Sequence, residues 1–519
     1  MSFKEKILSH FALSEGEYFS LTKEVSFDDI PLLEGKEVDN FIFELSKLKE
    51  EKAKVLIYGD YDTDGVMATS VTYLALKEFG LNAATYLPSR YTDGYGLNLD
   101  NLQKIYKQGF KAIILVDNGI TLLKEVEEAK KLGITILIID HHTPGEVLPA
   151  TPYIIHPKIQ DVGIKEVSAG FMATLMSRRL LGRYDDYLFS LGAVSLISDL
   201  MPLTKMNRTA VRLLKKIIDN QPFEVFTLLK GKDEVLTYDT FKMQIIPRVN
   251  AVGRMKSGVI LNRLVKYFTT DNPQERQILA KFISDTNDER KQATNDALFE
   301  LEIDENSPAI FLFNDGLEGL NGLIANRLLN LYHKPTVVFS KKENEDGLLV
   351  GSARSNPGFN IVKAFDSVKP LLVKAGGHAL SGGFSIYEKD LEEFKKQWNF
   401  LALKHLFEKN DYAGVIKLDK EDLTEENLAF YEKLEPFGPS FEEPCFVYGP
   451  LRAEDLSFTM KGQYLNTPIA NNINLFSFNF VESLFLPKTS YLFYLHIKNE
   501  YFRGRKNYRL IAFDKEETK

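Results

Sequence analysis

The chain carries a single cysteine, Cys445, among 519 residues. One thiol can build neither a disulfide framework nor a cysteine-rich zinc site. Long apolar runs are also missing, since none reaches the roughly 18 residues needed to cross a bilayer. The opening segment MSFKEKILSHF lacks the apolar stretch of a signal peptide. The expectation is a cytoplasmic protein with no membrane association. Internal repeats and low-complexity tracts are absent. So is an excess of positive charge: 64 Lys and Arg face 72 Asp and Glu, for a net charge of −8. Net charge governs solubility and steering, however, and a local basic groove can sit on an acidic protein. An acidic, metal-binding site would itself add negative charge. The sign therefore does not exclude a nucleic-acid partner.

What is present is an ordinary folded composition, 44% hydrophobic and 26% charged, in a chain long enough for two to four domains. Residues 1–50 form an amphipathic lead-in with helices. Between residues 51 and 265, apolar runs alternate with helical patterns. The runs are KVLIY (54–58), AATYL (83–87), KAIILV (111–116) and ITILII (134–139). Short, near-continuous apolar strands between helices predict a parallel sheet covered on both faces. The polar stretch 266–300, opened by Asn272-Pro273, predicts a long connecting helix or a pair of helices. Residues 301–405 read as a second α/β unit, with strands at 309–313 and 336–340 around a helix at 322–332, ending in the glycine-rich GGHALSGGFS (376–385). Within 406–519, after Pro436-Phe437-Gly438, short aromatic strands such as LFSFNF (475–480), YLFYLHI (491–497) and NYRLIAF (507–513) predict a small β-barrel or sandwich. The fold class is α/β, with a C-terminal barrel.

Three apolar runs end in an aspartate: Asp60, Asp117 and Asp140. In open parallel sheets ligands bind beyond the carboxyl ends of the strands, so these acids share one crevice. In GDYDTDG, Asp60, Asp62 and Asp64 alternate, and alternate residues of an extended segment point to one side. Carboxylates gathered this way repel unless a cation holds them. Gly65 is read as allowing the sharp turn into the next helix. His141 and His142 follow the third of these strands, in a chain with only 8 histidines. Hard oxygen ligands with one or two imidazoles suit manganese or magnesium better than zinc. An isolated Asp after a strand is usually a cap or turn residue. The joint pattern points instead to a dinuclear metal site.

Asp140-His141-His142, preceded by GDYDTDG and by VDNGI (116–120), resembles the signature of the DHH phosphoesterase family. SDLMPL (198–203) is similar to that family's fourth motif. Without the resemblance, Asp199 would read as a cap ending a buried helix. The resemblance implies that Asp62, Asp64, Asp117, His141 and Asp199 bind two Mn²⁺ or Mg²⁺ ions, with Asp60 in or near the shell. It also implies that Asp117 bridges the ions and that His142 contacts the scissile phosphate. Further stretches resemble the RecJ branch: PSRYTDGYGL (88–97), PRVNAVGRM (247–255), DTNDERK (285–291), GSARS (351–355) and LEPFGPSFEEP (434–444). They imply a DHH domain, a DHH-associated domain and an oligonucleotide-binding (OB-like) barrel. Arg248, Asn250 and Arg254 then belong to the catalytic surroundings, Asn250 holding either its loop or the substrate. Arg90, Ser352 and Arg354 form a pocket for a terminal 5′ phosphate. His378 either joins that pocket or is a packed loop histidine, and a lone Arg90 would read as a solvated charge. In YFRGRKNYRL, Arg503, Arg505, Lys506 and Arg509 can track a backbone while Tyr501 or Tyr508 stacks on bases, although strand aromatics are more often core.

The implied activity is 5′ to 3′ hydrolysis of single-stranded DNA to 5′-mononucleotides, in repair and recombination. The implied state is a monomer that meets single-stranded DNA, a single-strand-binding protein and a helicase. Two alternatives stand beside it. A nanoRNase or nucleotide phosphodiesterase shares the core but typically lacks the aromatic third domain. A catalytically silent single-strand-binding clamp conflicts with the intact aspartates and histidines. One departure bears on the second domain: GLEGLNGLIANRL (316–328) lacks the Trp-His pair that RecJ proteins usually carry there. The sequence ends with the aromatic region, and no further C-terminal domain is expected.

Overall fold

The structure is a computed structural model. It describes residues 1–232, 235–299, 306–342, 345–356, 358–403, 414–478, 480–502 and 505–518, with the backbone alone at 299, 500–502, 505 and 506. Tyr501, Arg503, Arg505 and Lys506 therefore lie outside the described side chains.

Two short helices, α1 (Phe3–His10) and α2 (Glu15–Thr22), open the chain, and α3 (Lys36–Glu50) leads into the first sheet. That sheet is parallel, in the order β2-β1-β3-β4-β5, from β1 (Lys54–Tyr58), β2 (Asn82–Tyr86), β3 (Ala112–Val116), β4 (Thr135–Ile139) and β5 (Ile154–Ile155). Its crossovers include α4 (Thr63–Phe79), α5 (Leu99–Lys107) and α6 (Leu123–Lys131). All five residues of β3 are buried. Ala112, Ile114 and Val116 join one core and Ile113 and Leu115 the other, because side chains alternate across a sheet covered on both faces. Behind one face stand α7 (Ala169–Leu181), α8 (Asp186–Ser198) and α9 (Lys205–Asn220). Then come α10 (Glu224–Thr227), α11 (Tyr238–Thr240), α12 (Ile246–Met255) and α13 (Asn262–Thr269).

The connector is one helix, α14 (Pro273–Phe299). Asn272 Oδ1 caps its start by accepting from the N–H groups of Gln274 and Glu275 at 2.9 and 3.2 Å. A mixed five-stranded sheet follows, ordered β6-β7-β8-β10-β9, from β6 (Ile310–Phe313), β7 (Thr336–Lys341), β8 (Leu348–Arg354), β9 (Leu372–His378) and β10 (Ser381–Tyr387). Its helices are α15 (Asn321–Tyr332), α16 (Ile361–Ser367) and α17 (Leu391–Leu403). The glycine-rich 376–385 stretch is not a loop but the hairpin of β9 and β10.

The last sheet has seven strands in the order β11-β12-β16-β17-β15-β14-β13. They are β11 (Ile416–Leu418), β12 (Phe446–Arg452), β13 (Phe458–Thr459), β14 (Tyr464–Ala470), β15 (Ile473–Ser477), β16 (Ser490–Phe502) and β17 (Arg505–Thr518), with α18 (Glu425–Glu432) after β11. The unit thus starts before Pro436. It also recruits the far end of the chain: Phe3 and Ile7 are buried among Leu418, Leu428, Tyr431 and Phe446. Lys6 Nζ binds Asp419 and Asp422 at 2.9 and 2.7 Å. The lead-in is therefore shared, because its first helices complete the barrel core while Val25, Ile30 and Leu33 pack into the first domain.

Candidate metal centre and phosphate-binding cleft

The strand-end aspartates meet at one edge of the parallel sheet. β1 stops at Tyr58, so Asp60, Asp62 and Asp64 do not lie on an extended strand. Asp62 is instead the N-cap of α4, its Oδ1 accepting from Gly65 N at 3.1 Å, and Asp64 lies in the first helical turn. Gly65 serves close packing within the helix rather than a turn: a Cβ there would lie 2.7 Å from the backbone of Asp60. Asp64 is further held by the N-terminus of α7, accepting from Ala169 N at 2.9 Å and Gly170 N at 2.7 Å. Asp117 follows β3 in left-handed backbone, φ 61°, a strained geometry for a non-glycine residue. Asp199 is the C-cap position of α8.

Three groupings bring ligand atoms within 4.8 Å of one another: Asp60, Asp62 and Asp117; Asp64, His141 and Asp199; and Asp117, His141 and His142. His141 Nε2 lies 3.3 Å from Asp117 and 3.5 Å from Asp199. Asp117 and His141 each belong to two groupings, and of the two only the carboxylate, with its two oxygens, suits a bridging ligand. Burial and neighbouring carboxylates push Asp60, Asp64 and Asp117 well above the usual carboxylate range. Burial and Asp62 raise Asp199 to about 7. Burial lowers His141 to about 4, which leaves its ring neutral and able to donate a lone pair. Oδ1 of Asp60 and of Asp117 are buried without a hydrogen-bond partner. Crowded, unpartnered carboxylate oxygens beside a neutral imidazole fit hard divalent cations.

His142 differs from its neighbour. Burial pulls its pKa down, but a 2.8 Å bond from Nδ1 to buried Asp140 outweighs this and holds it at about 9. Asp140 itself is held at about 2, since His142 and the N–H groups of Ile120 and His142 more than offset its burial. Tyr95, to which the sequence reading assigned no role, donates from its hydroxyl to the Asp117 carbonyl at 2.9 Å and lies 3.1 Å from His142 Nδ1.

Of the second group of candidates, Asn250 takes the loop-holding place. Its Oδ1 accepts from Thr63 N and Thr63 Oγ1, both at 2.8 Å, and so holds the aspartate loop. Gly253 lets α12 lie against that loop, because a Cβ there would meet the Tyr61 carbonyl at 2.3 Å. Arg248 Nη1 donates to Gln244 O at 3.0 Å on its own helix. Arg254 crosses to the second domain, donating from Nη1 to Gly319 O at 3.0 Å while Tyr91 Oη bonds its carbonyl. Burial and then the charges of Arg90, Arg290 and Arg354 lower Arg254 to about 10 against the pull of Asp62, so these guanidinium groups lie near one another. None of the four is ion-paired to a carboxylate among the described residues. Arg90 stacks on Tyr61 at 4.7 Å and its Nε is buried without a partner. Arg290, on α14 within DTNDERK, was also missed; its signal was the arginine three residues after a buried Asn287, whose Oδ1 takes its Nε–H at 3.2 Å.

Arg354 and Ser352 occupy β8 beside the start of α15, where a Cβ on Gly322 would lie 2.8 Å from Arg354 Nη2. Register carries this face across the sheet: Arg354 is opposite Ser381, which is opposite His378, and Ser352 is opposite Gly383, which is opposite Gly376. Directly opposed residues share a face. His378 is thus two strands, roughly 10 Å, from Arg354, and it is exposed at its strand end. A Cβ on Gly376 would meet nothing within 4 Å, so backbone faces open space there. Helix N-terminus, guanidinium and bare backbone are groups that attract an anion.

Fold and site together define the class. Residues 54–195 match the DHH family, N-terminal domain, residues 306–401 the DHHA1 domain and residues 416–514 the RecJ OB domain. Residues 54–195 thus form a DHH-family domain, followed along the chain by a DHHA1 domain and a RecJ OB domain. It is 32% identical over 442 residues to the single-stranded-DNA-specific exonuclease RecJ of Bacillus subtilis, covering 80% of this chain and 55% of that protein. The RecJ of Escherichia coli is 28% identical over 441 residues, 76% of this chain and 75% of that one. The crystal structure of Thermus thermophilus RecJ with Mn²⁺ superposes with a TM-score of 0.79 at 23% identity, over 96% of this chain and 74% of that one. An exonuclease RecJ bound to manganese gives 0.59 at 25% identity, over 72% and 96%. The chain thus spans about half the length of the B. subtilis relative and three quarters of the E. coli one.

Proposed function

We propose that this protein is a metal-dependent exonuclease that hydrolyses single-stranded DNA from the 5′ end and releases 5′-mononucleotides, acting in DNA repair and recombination. One observation carries the reading: a buried carboxylate–imidazole cluster lies near guanidinium groups, Arg90, Arg254, Arg290 and Arg354, that pair with no carboxylate among the described residues. Asp60, Asp62, Asp64, Asp117, His141 and Asp199 would hold two Mn²⁺ or Mg²⁺ ions, the metals bound in crystal structures of RecJ. Such ions activate water near neutral pH and stabilise charge on the phosphate. His142, kept cationic by Asp140, donates to a non-bridging oxygen of the scissile phosphate. Tyr95 fixes the ring of His142 against the Asp117 backbone. Asn250 holds the loop that carries Asp60 and Asp62.

A terminal phosphate monoester carries about −1.5 to −2 charge at pH 7, more than a diester, and so suits a pocket of several guanidinium groups. Arg90, Ser352 and Arg354 would bind it, with His378 at the outer edge of the same face. Water enters at phosphorus and the P–O3′ bond breaks, so the shortened strand keeps a 5′ phosphate for the next cycle. The barrel extends the path for single-stranded DNA. The protein works as a monomer in the cytoplasm, beside a single-strand-binding protein and a helicase; no described helix is long and apolar enough to cross a membrane.

The test is 5′-labelled single-stranded DNA with Mn²⁺. Labelled mononucleotide should appear first and chelation should stop it. A nanoRNase would cut only short oligomers and a silent clamp would release nothing. Equal digestion of a strand whose 5′ end is blocked would overturn the polarity.

A further inference from the structure

Arg208, on α9, is 4% exposed and touches no part of the cleft. Its guanidinium reaches out of the first domain to the stretch leading into the barrel. Nη1 donates to Pro436 O at 2.9 Å, Nη2 to Leu434 O at 2.6 Å, and the plane lies 4.4 Å from the Phe441 ring. On the other side Phe11 stacks on Phe441 at 4.7 Å. The same stretch grips the turn between α8 and α9, because Leu203 N donates to Pro439 O at 2.8 Å. Gly438 permits that approach, since a Cβ there would lie 2.7 Å from Leu203 Cδ1. Asn207 Nδ2 ties down the turn from within at Pro202 O, 3.1 Å. At the turn's other end stands Asp199, followed by Leu200 in left-handed backbone, φ 51°. Unlike Asp64, whose two oxygens are held by backbone N–H groups, Asp199 sits where this turn leaves α8, its own N–H donating to Ser195 O at 3.1 Å.

We propose that Arg208 is a positioning residue for Asp199: by clamping residues 434–441 onto the 199–204 turn, it makes the docked barrel part of the metal centre. The inference rests on the metal reading given above and adds that the barrel does more than lengthen the DNA path.

Mn²⁺ titration of the full chain without DNA, followed by loss of the free-ion EPR signal, tests it. Arg208→Gln should weaken one Mn²⁺ by about 10-fold, the range for partners that orient a ligand. Gly438→Ala, which leaves Arg208 intact and pushes on Leu203, should act in the same direction. Lys498→Met removes a different set of barrel contacts, the pairs with Asp239 at 3.0 Å and Glu443 at 2.8 Å, neither of which reaches the 199–204 turn, and should leave Mn²⁺ affinity unchanged. Asp199→Ala is the reference for full loss of that ligand. If Arg208→Gln and Gly438→Ala both bind as the parent does while Asp199→Ala fails, the positioning role is wrong. If Lys498→Met weakens Mn²⁺ equally, the effect is general loosening and the role is also wrong. A parent chain that binds no Mn²⁺ overturns the metal reading itself.

Discussion

Replacing Asp117 by Asn should move stability in opposite directions with and without metal. The side chain keeps its size but loses its charge, in a place where the carboxylate is buried, has one oxygen without a hydrogen-bond partner, and sits among Asp60, Asp62 and Asp64. Removing a carboxyl that burial and its neighbours disfavour should stabilise by about 1–3 kcal/mol, the cost of a buried polar group left without a partner. In a domain of this size each kcal/mol moves Tm by roughly 2–4 °C. The metal-free variant should therefore melt several degrees above the metal-free parent. With Mn²⁺ at 100 times Kd, each site adds about 2.7 kcal/mol to the parent, and the variant should forgo that gain at both ions, since Asp117 belongs to two ligand groupings. Cleavage should drop below about 1%, more than the 10–100-fold lost with an outer partner. Thermal melts in chelator and in Mn²⁺, run beside nuclease assays, give all three readouts. A variant that melts lower without metal, yet still gains from Mn²⁺, would falsify the reading of Asp117 as a shared ligand.

Arg354→Ala removes a charge-assisted phosphate contact of roughly 1.5–3 kcal/mol, so the preference for 5′-phosphorylated over 5′-hydroxyl strands should shrink by about 10- to 100-fold; an unchanged ratio places the end elsewhere. In metal-free protein the His142 imidazolium should persist to about pH 9 by NMR. Because this folded value lies above the unfolded one, its stabilisation is complete below about pH 6.5 and is lost as pH rises through about 9. Asp140→Asn should lower the His142 midpoint, and a midpoint left at about 9 removes Asp140 as its cause. Deleting residues 1–10 uncovers the sites of Phe3 and Ile7 in the barrel core, at about 1.5–3 kcal/mol each. Barrel amides should then exchange faster while those of the parallel sheet keep their protection; uniform loss would contradict the shared lead-in.

The sequence by itself determined the parallel sheet and the class of chemistry. Runs such as AIILV are hydrophobic at every position, which only a strand covered on both faces tolerates. An aspartate at the end of three of the four runs falls at the edge where ligands bind. Local pattern could not say how the acids are held. The alternation in GDYDTDG suggested one face of a strand, but the stretch is a helix cap, and Asp64 is placed by the N-terminus of α7 more than one hundred residues later. Asn250 could have held either its loop or the substrate, and only the fold places its Oδ1 on Thr63, because hydrogen-bond partners distant in sequence leave no periodic trace. The nearness of Arg90, Arg254, Arg290 and Arg354 to one another likewise required four segments to fold together. The same holds for the lead-in, whose amphipathic helices carry an apolar face but no address. Only the tertiary structure decided that Phe3 and Ile7 complete the barrel at the opposite end of the chain, since burial is settled by which surface is left open and not by neighbours in sequence.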